Sequence, residues 1–178
     1  MAIASVDPTT GKLLKSFSPL SRADLDQKLQ KATETFRVYR HTSIAERSRM
    51  MKRAAEILDA EKEVFGRLMT SEMGKTFRSA VEECLKCAWA CRYFAESAER
   101  WLADEVIETG AGRTFIHYEP IGPVLAVMPW NFPFWQVFRF AAPALMARLR
   151  SRWSSGQTDQ ENRFGTGWKR SVYCHAQR

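Results

Sequence analysis

Three long stretches of the chain place apolar residues at helical spacing, over residues 21–39, 43–69 and 77–102. The first two open on Ser21 and Ser43, each followed three positions later by an acidic residue, as in a helix-capping box. We therefore predict three long amphipathic helices. The residues expected to face inward on the first two are Leu25, Leu29, Ala32, Phe36, Ile44, Met51, Ala54, Ala55, Leu58, Val64 and Leu68.

Shorter patterns surround these helices. Residues 6–17 hold two apolar segments around a turn with Asp, Pro and Gly, which predicts a hairpin or extended pair. Gly74 separates the second and third helical patterns and is predicted to be a C-cap. Residues 113–118 alternate polar and apolar side chains, which is typical of a half-exposed strand.

The segment from Val124 to Met146 combines a strand pattern, a loop and a helix pattern. Val124–Met128 is an apolar run bounded by prolines and reads as a strand buried on both faces. Pro129–Pro133 is a loop, because two prolines in five residues exclude a helix there. Asn131 is the one polar side chain of this loop, beyond the carboxyl end of the strand, where ligands bind in parallel sheets.

The third helix carries aromatic residues and three cysteines. Its aromatics Trp89, Phe94 and Trp101 are expected in the core rather than on a ligand platform. Cys84, Cys87 and Cys91 share one helical face, and a Cys-x-x-Cys pair occurs in redox and metal sites. No second pair or His cluster completes a zinc site, so we expect small buried packing residues.

Charge is unevenly distributed along the 178 residues. The net charge of +7 divides into +2 for residues 1–147 and +5 for residues 148–178. The body therefore has an ordinary mixed surface without a nucleic-acid groove. Binding of nucleic acid by the basic tail is a weaker alternative function. No signal peptide or uninterrupted apolar span is visible, so we expect a cytoplasmic protein with no membrane partner.

The motif Met128-Pro129-Trp130-Asn131-Phe132-Pro133 resembles the one that opens the cofactor domain of aldehyde dehydrogenases. The resemblance runs from about residue 3 to Ala147. It is strongest to the NAD(P)-dependent succinate-semialdehyde branch, through the motifs Val6-Asp7-Pro8-Thr9-Thr10-Gly11, Glu72-Met73-Gly74-Lys75 and Lys86-Cys87-Ala88-Trp89 and the long segment 119–147.

The resemblance implies an α/β fold, in which an N-terminal helical cluster leads into the first βα unit of an incomplete Rossmann-like NAD(P)-binding domain. Asn131 then corresponds to the donor that stabilises the oxyanion formed from a small aldehyde substrate such as succinate semialdehyde. NAD or NADP is the implied cofactor, contacted by Met128, Pro129, Trp130 and Asn131. Phe132, Phe134 and Trp135 are pocket or packing residues near the substrate tunnel.

The implied domain organisation has five parts. An N-terminal arm covers 1–18, a helical region 19–108, an oligomerisation-type edge strand 109–120, and the start of the NAD(P)-binding domain 121–147. Residues 148–178 are expected to be a disordered tail unrelated to the family. The edge strand implies a homo-oligomer or pairing with full-length subunits.

The family pattern stops at Arg148, before the nucleophilic cysteine and the general-base glutamate of these enzymes. None of Cys84, Cys87, Cys91 and Cys174 stands in the nucleophile's context. A frameshift explains the tail, because the codons GTG GTC CTC A read Trp-Ser-Ser when shifted by one base, as found at 153–155. We therefore expect an N-terminal fragment that is inactive alone. The alternative is a non-catalytic module that pairs with full-length subunits.

Overall fold

A computed structural model describes residues 3–109, 112–119, 122–147 and 169–175. Helices and strands alternate in blocks, which confirms the predicted α/β class. In chain order the elements are β1 Ile3–Val6, β2 Leu13–Phe17, α1 Arg22–Tyr39, α2 Ile44–Ala60, α3 Lys62–Met73, α4 Phe77–Trp101, β3 Glu105–Thr109, β4 Gly112–Glu119, α5 Pro133–Met146 and β5 Lys169–His175.

The main core lies between α2, α4 and α5. Small and flexible side chains fill it, which lets the helices approach closely. They are Met51, Ala55, Leu58, Cys87, Ala88, Cys91, Ala95, Ala98, Ala142 and Met146. A second cluster of Met69, Ala80 and Cys84 joins α3 to α4. Phe65 and Phe134 pack against both clusters, so the first turn of α5 is tied to each of them.

The first helix begins where its capping box predicts but does not bury its apolar face. The Ser21 hydroxyl accepts the Asp24 N–H at 3.1 Å, and the Asp24 carboxylate accepts the Ser21 N–H at 3.2 Å. The predicted inward stripe is wrong, since no residue of α1 is buried and Leu25 and Leu29 are exposed. A stripe is buried only where another element covers it, and α1 meets the cluster through Tyr39 at its C-terminal end.

The single helix predicted over residues 43–69 is two helices. Glu61 separates α2 from α3 with φ −106° and ψ 14°, outside the helical region. The break changes which side of the helix meets the core, so α3 buries Gly66 and Met69. Val64 and Leu68, predicted to face inward, are exposed for this reason.

Two glycines set how α3 meets its neighbours. At Gly66 a Cβ would lie 2.9 Å from Cγ2 of Val81, so α3 and α4 approach where only glycine fits. Gly74 ends α3 with φ 72°, the left-handed conformation expected of a C-cap glycine. The predicted C-cap is confirmed.

The strands form two antiparallel sheets. β1 and β2 make the predicted N-terminal hairpin, in which Ile3 pairs with Phe17. β3, β4 and β5 form the second sheet with β4 at its centre. The strand predicted at 113–118 exists, but the prediction that it is an edge strand is wrong, because β3 covers one side and β5 the other.

The predicted disorder of the tail is wrong for residues 169–175, which form β5. This segment contains Val172 and Tyr173, residue types that favour strands, and it meets the open hydrogen-bonding edge of β4. The average composition of the whole tail does not reveal such a short strand-forming segment. Residues 148–168 and 176–178, including the Trp-Ser-Ser at 153–155, lie outside the described residues.

The apolar run Val124–Met128 is not a strand in the structure. Leu125 is 87% exposed and Val127 is 86% exposed. A strand of this apolar type needs parallel neighbours on both sides and cover on both faces. The described residues supply neither, so the predicted buried strand does not form.

The aromatic residues of α4 are divided between core and surface. Phe94 packs against the main core, as predicted. Trp89 and Trp101 are instead 58% and 41% exposed, so their predicted core position is wrong. Trp89 stacks on Tyr93 with ring centroids 5.3 Å apart. Within the part of the chain that the structure describes, no helix is long and apolar enough to span a membrane.

Candidate active-site loop

The loop that begins at Pro129 ends at Phe132 and runs directly into α5, whose first turn is capped from another helix. The N-cap residue Phe132 makes no side-chain cap, and Pro133 has no N–H to donate. The next two N–H groups, of Phe134 and Trp135, both donate to Oε1 of Glu83 on α4, at 3.0 and 2.8 Å. Glu83 therefore satisfies the N–H groups that a helix start leaves open.

A lysine balances the buried charge of Glu83. Glu83 is 4% exposed, and its Oε2 forms an ion pair with Nζ of Lys75. The same ammonium group lies 4.1 Å from the ring centroid of Phe132, a cation–π contact. Lys86 makes a similar contact with Trp135, also at 4.1 Å. The charged side chains of Glu83 and Lys86 on α4, and of Lys75 in the turn before it, therefore contact residues 132–135 and fix their position.

Asn131 lies at the surface immediately before this fixed segment. Its Oδ1 accepts a hydrogen bond from Nε2 of Gln136 at 3.2 Å. This contact engages the oxygen of the amide and leaves Nδ2 to donate elsewhere. An oxyanion donor has to present this N–H group.

The neighbours predicted to line a cofactor cleft are accessible. Met128 is half-buried, Pro129 is exposed, and Trp130 is 65% exposed. They precede Asn131 directly in the chain, and Trp130 and Asn131 lie in a turn.

The three aromatic residues predicted as pocket or packing residues differ in their surroundings. Phe134 packs against both core clusters, and its ring centroid lies 5.2 Å from that of Phe65. Trp135 packs against the main core. Phe132 is exposed beneath the Lys75 ammonium group. Packing therefore accounts for Phe134 and Trp135, and Phe132 is the one facing solvent beside Asn131.

The three cysteines of α4 are buried packing residues, as predicted. Burial raises the pKa of the Cys84 thiol to about 11, that of Cys87 to about 12 and that of Cys91 to about 11. A thiol acts as a nucleophile through its thiolate, which burial disfavours here. These side chains therefore lack both the access and the ionisation that a nucleophile needs.

A groove of about 510 Å³ lies elsewhere, between the β1–β2 turn and α3. None of the predicted site residues lines it. Its walls are Asp7, Thr9, Thr10, Arg67, Thr70, Ser71 and Phe77. The groove is an open surface depression, whereas the loop carries the amide that can donate to an oxyanion.

Glu83 was not predicted from the sequence, although a signal for it exists. It stands at helical spacing from Ala80 and Cys87, on the face that the cysteines mark as buried. Its neighbour Glu82 points outward and pairs with Arg78 at 3.0 Å. A glutamate on the apolar face of a helix requires a buried partner.

Residues 1–148 match the Aldehyde dehydrogenase family. The chain belongs to this family. It is 51% identical over 147 residues to a protein of Synechocystis sp. named probable succinate-semialdehyde dehydrogenase (NADP+), with 83% of this chain and 32% of that relative covered. It is 50% identical over 151 residues to succinate-semialdehyde dehydrogenase (NADP+) of Mycobacterium avium, with the same shares covered. The chain thus spans about a third of the length of these relatives.

Solved structures agree with this assignment. Succinic semialdehyde dehydrogenase from Streptococcus pyogenes, in complex with NADP+, has a TM-score of 0.78 at 30% identity, covering 82% of this chain and 32% of that one. NADP-dependent glyceraldehyde-3-phosphate dehydrogenase from Bacillus halodurans has a TM-score of 0.76 at 28% identity, covering 84% and 32%. These aldehyde dehydrogenases contain a Rossmann-like domain, so the predicted fold class and family are confirmed.

The start of α5 bears on where the phosphates of a dinucleotide could bind. Met128, Pro129 and Trp130 precede the candidate oxyanion donor in the chain, and Pro129 and Trp130 are exposed. The N-terminus of α5 is unsuited to the phosphates, because the carboxylate of Glu83 already holds its N–H groups and would repel a second anion. A phosphate site therefore has to come from residues other than this helix start.

Proposed function

We propose that residues 1–147 form the N-terminal part of an NADP+- or NAD+-dependent succinate-semialdehyde dehydrogenase, with Asn131 as the oxyanion donor. The observation that carries this proposal is about 50% identity, over nearly all of these residues, to relatives that bear that name. The accessible Asn131 amide, with its oxygen engaged by Gln136, supports the residue's role. The cytoplasmic location stays a prediction.

In the proposed reaction a cysteine thiolate adds to the aldehyde carbon, and the carbonyl oxygen takes up the negative charge. The Asn131 amide donates a hydrogen bond to that oxygen without itself titrating. One such donor contributes about 3 kcal/mol to transition-state stabilisation. When bound, NADP+ or NAD+ supplies the acceptor for the hydride. Met128, Pro129, Trp130 and Asn131 would hold its nicotinamide and ribose end.

The isolated chain is proposed to be inactive. Cys84, Cys87 and Cys91 are buried with raised pKa values, so none of them can serve as the attacking thiolate. The nucleophile and base would come from the remaining length of the enzyme. Addition of succinate semialdehyde and NADP+ to the purified chain should give no NADPH, and measurable turnover would overturn this part of the proposal.

A chimera tests the proposal directly. Residues 1–147 of this chain would replace the matching N-terminal third of the Synechocystis relative, and NADPH formation would be followed by absorbance. We expect turnover of succinate semialdehyde. A folded chimera that oxidises other aldehydes but not this one would refute the substrate, and a folded chimera without any dehydrogenase activity would refute the function.

We further propose that the protein self-associates through the sheet that contains β4. Because β3 and β5 cover the two sides of β4, an added strand from another subunit would pair with the outer side of β3 or of β5. Sedimentation of the purified 178-residue chain, which keeps β5, should show an oligomer, and a monomer at micromolar concentration would refute this proposal. The alternative of a non-catalytic module finds no support in the matches, whose names are those of enzymes.

A further inference from the structure

We propose that Glu83, together with Lys75, is a positioning residue for Asn131. The pair fixes the first turn of α5 and thereby sets where the Asn131 amide is presented. This inference rests on the proposed oxyanion role of Asn131. The pair contacts Phe132, Phe134 and Trp135 rather than the Asn131 amide, so both residues act through the loop.

Two hydrogen bonds to one carboxylate fix the start of α5. Phe132 provides no side-chain cap and Pro133 has no N–H, so only Phe134 and Trp135 have early N–H groups to satisfy. A single carboxylate oxygen of Glu83 accepts both. Two charge-assisted bonds to one atom define both the place and the direction of the helix start.

Phe132, between Asn131 and Pro133, contacts the same ion pair. The ammonium group that pairs with Glu83 also lies over the ring of Phe132. Phe132 is the immediate neighbour of Asn131 in the chain. The pair therefore holds the ring of Phe132 and the backbone N–H groups of Phe134 and Trp135, and Asn131 is the immediate neighbour of the first of these residues.

Both side chains of the pair are almost completely buried. The side chains of Glu83 and Lys75 are 2% and 10% exposed. A buried ion pair is weak evidence for stability, because desolvation of both charges opposes their attraction. Its geometry here is directed at one turn of one helix, which favours a positioning role over a general stabilising one.

The test uses the complete chain labelled with ¹⁵N and the variant Glu83→Gln. Its matched control is Glu82→Gln, the exposed neighbour on the same helix. We expect amide hydrogen exchange at Phe134 and Trp135 to accelerate by about tenfold or more in the first variant, with a shift of the Asn131 side-chain amide resonance. Exchange at Ala142, further along α5, and at Leu58 in α2 should not change.

Two outcomes would overturn the positioning role. One is unchanged exchange at Phe134 and Trp135, and the other is equal acceleration across α5 and α2, which would indicate general destabilisation. Should Glu83→Gln fail to fold, Lys75→Gln gives the same test, with the exposed Lys52→Gln as its control. The expected result is then a change confined to the resonances of residues 131–135.

A kinetic test on the chimera separates this inference from the proposed function. Glu83→Gln should lower kcat about tenfold to a hundredfold with little change in the KM for the aldehyde. The double variant with Asn131→Ala should be no slower than Asn131→Ala alone, because Glu83 acts through that amide. If kcat of the double variant falls by the product of the two single-variant factors, the inference is overturned. An inactive chimera would refute the function, while the exchange measurement still decides the positioning role.

Discussion

The guanidinium group of Arg47 donates a hydrogen bond to the backbone carbonyl of Ala147, which lies 100 residues later in the chain. The same side chain, 1% exposed, also donates to the carbonyl of Tyr39 at 2.8 Å and to the hydroxyl of Thr42 at 2.8 Å. One residue at the start of α2 thus joins the end of α1 to the end of α5. This contact closes the helical cluster that supports the Asn131 loop.

Replacement of Arg47 should destabilise the whole cluster. In Arg47→Met the carbonyls of Tyr39 and Ala147 lose a buried donor, so we expect the free energy of unfolding to fall by about 2–4 kcal/mol. Urea denaturation followed by circular dichroism measures it. The exposed Arg49→Met on the same helix is the control and should change stability by less than about 0.5 kcal/mol. Equal effects of the two variants would contradict the assigned role.

Alanine substitutions at Gly74 and Gly11 separate the effect of backbone strain on stability from the effect of steric crowding. Both have φ near +70°, so an alanine at either position is strained by about 1–2 kcal/mol. At Gly74 the added Cβ would also lie 3.1 Å from Cγ of Pro8, whereas at Gly11 it meets nothing within 4 Å. Gly74→Ala should therefore lower the thermal midpoint more than Gly11→Ala. The reverse order would show that the hairpin does not pack against this turn.

Alkaline pH should destabilise the folded chain through its buried cysteines. Burial raises the pKa of the Cys87 thiol to about 12 from its ordinary value of 9.0. Above pH 9 the unfolded chain releases a proton that the folded chain retains, so the free energy of unfolding falls between pH 9 and about 12. Cys84 and Cys91 also lower the free energy of unfolding as the pH rises from 9 to about 11.

The variant Cys87→Ala provides the control for this pH dependence. It should be less stable than the parent at pH 7, because it leaves a small cavity. Its stability should decline less steeply above pH 9, so the two curves converge. Parallel curves up to pH 11 would mean that other groups cause the decline.

The hydrogen bond between Gln136 and Asn131 should affect catalysis less than Asn131 itself. In the chimera, Asn131→Ala should lower kcat about 10²- to 10³-fold, since it removes the oxyanion donor. Gln136→Ala removes only the contact that orients the amide and should cost less than the loss of Asn131. Steady-state kinetics with both variants tests the order. A larger loss from Gln136→Ala would assign the donor role elsewhere.

Removal of β5 should expose the side of β4 that it covers. A chain ending at residue 147 lacks this strand, and an open strand edge invites pairing with another copy. We expect the shorter chain to form larger species than the control at the same concentration, in size-exclusion chromatography with light scattering, because the side of β4 is then open. A chain ending at residue 175 keeps β5 and is the control. Identical elution of both would contradict the covering role of this strand.

Local pattern predicted most of the secondary structure. Ser21 and Ser43 marked helix starts through their capping partners, and Gly74 marked a helix end, because these features depend on residues within one turn of the chain. The sequence also predicted the loop at 129–133 and the position of Asn131 before a helix. The break at Glu61 was missed, since nothing in the local sequence opposes a continuous helix there.

Burial was predicted less well, because it depends on what lies opposite. The apolar stripe of α1 and the run Val124–Met128 have the composition of core elements, yet the described residues supply no cover for them. Trp89 and Trp101 are exposed for the same reason. Apolar composition predicts that a face can be buried, and only the fold decides whether it is.

The sequence by itself determined the family, the loop motif and the helical face that carries the three cysteines. It did not determine how the loop is held. That role belongs to Glu83, which lies 48 positions before Asn131 on another helix, and to Lys75, which neutralises it. Hydrogen bonds between distant residues form only when packing brings their helices together, so the tertiary structure alone decided which glutamate caps α5.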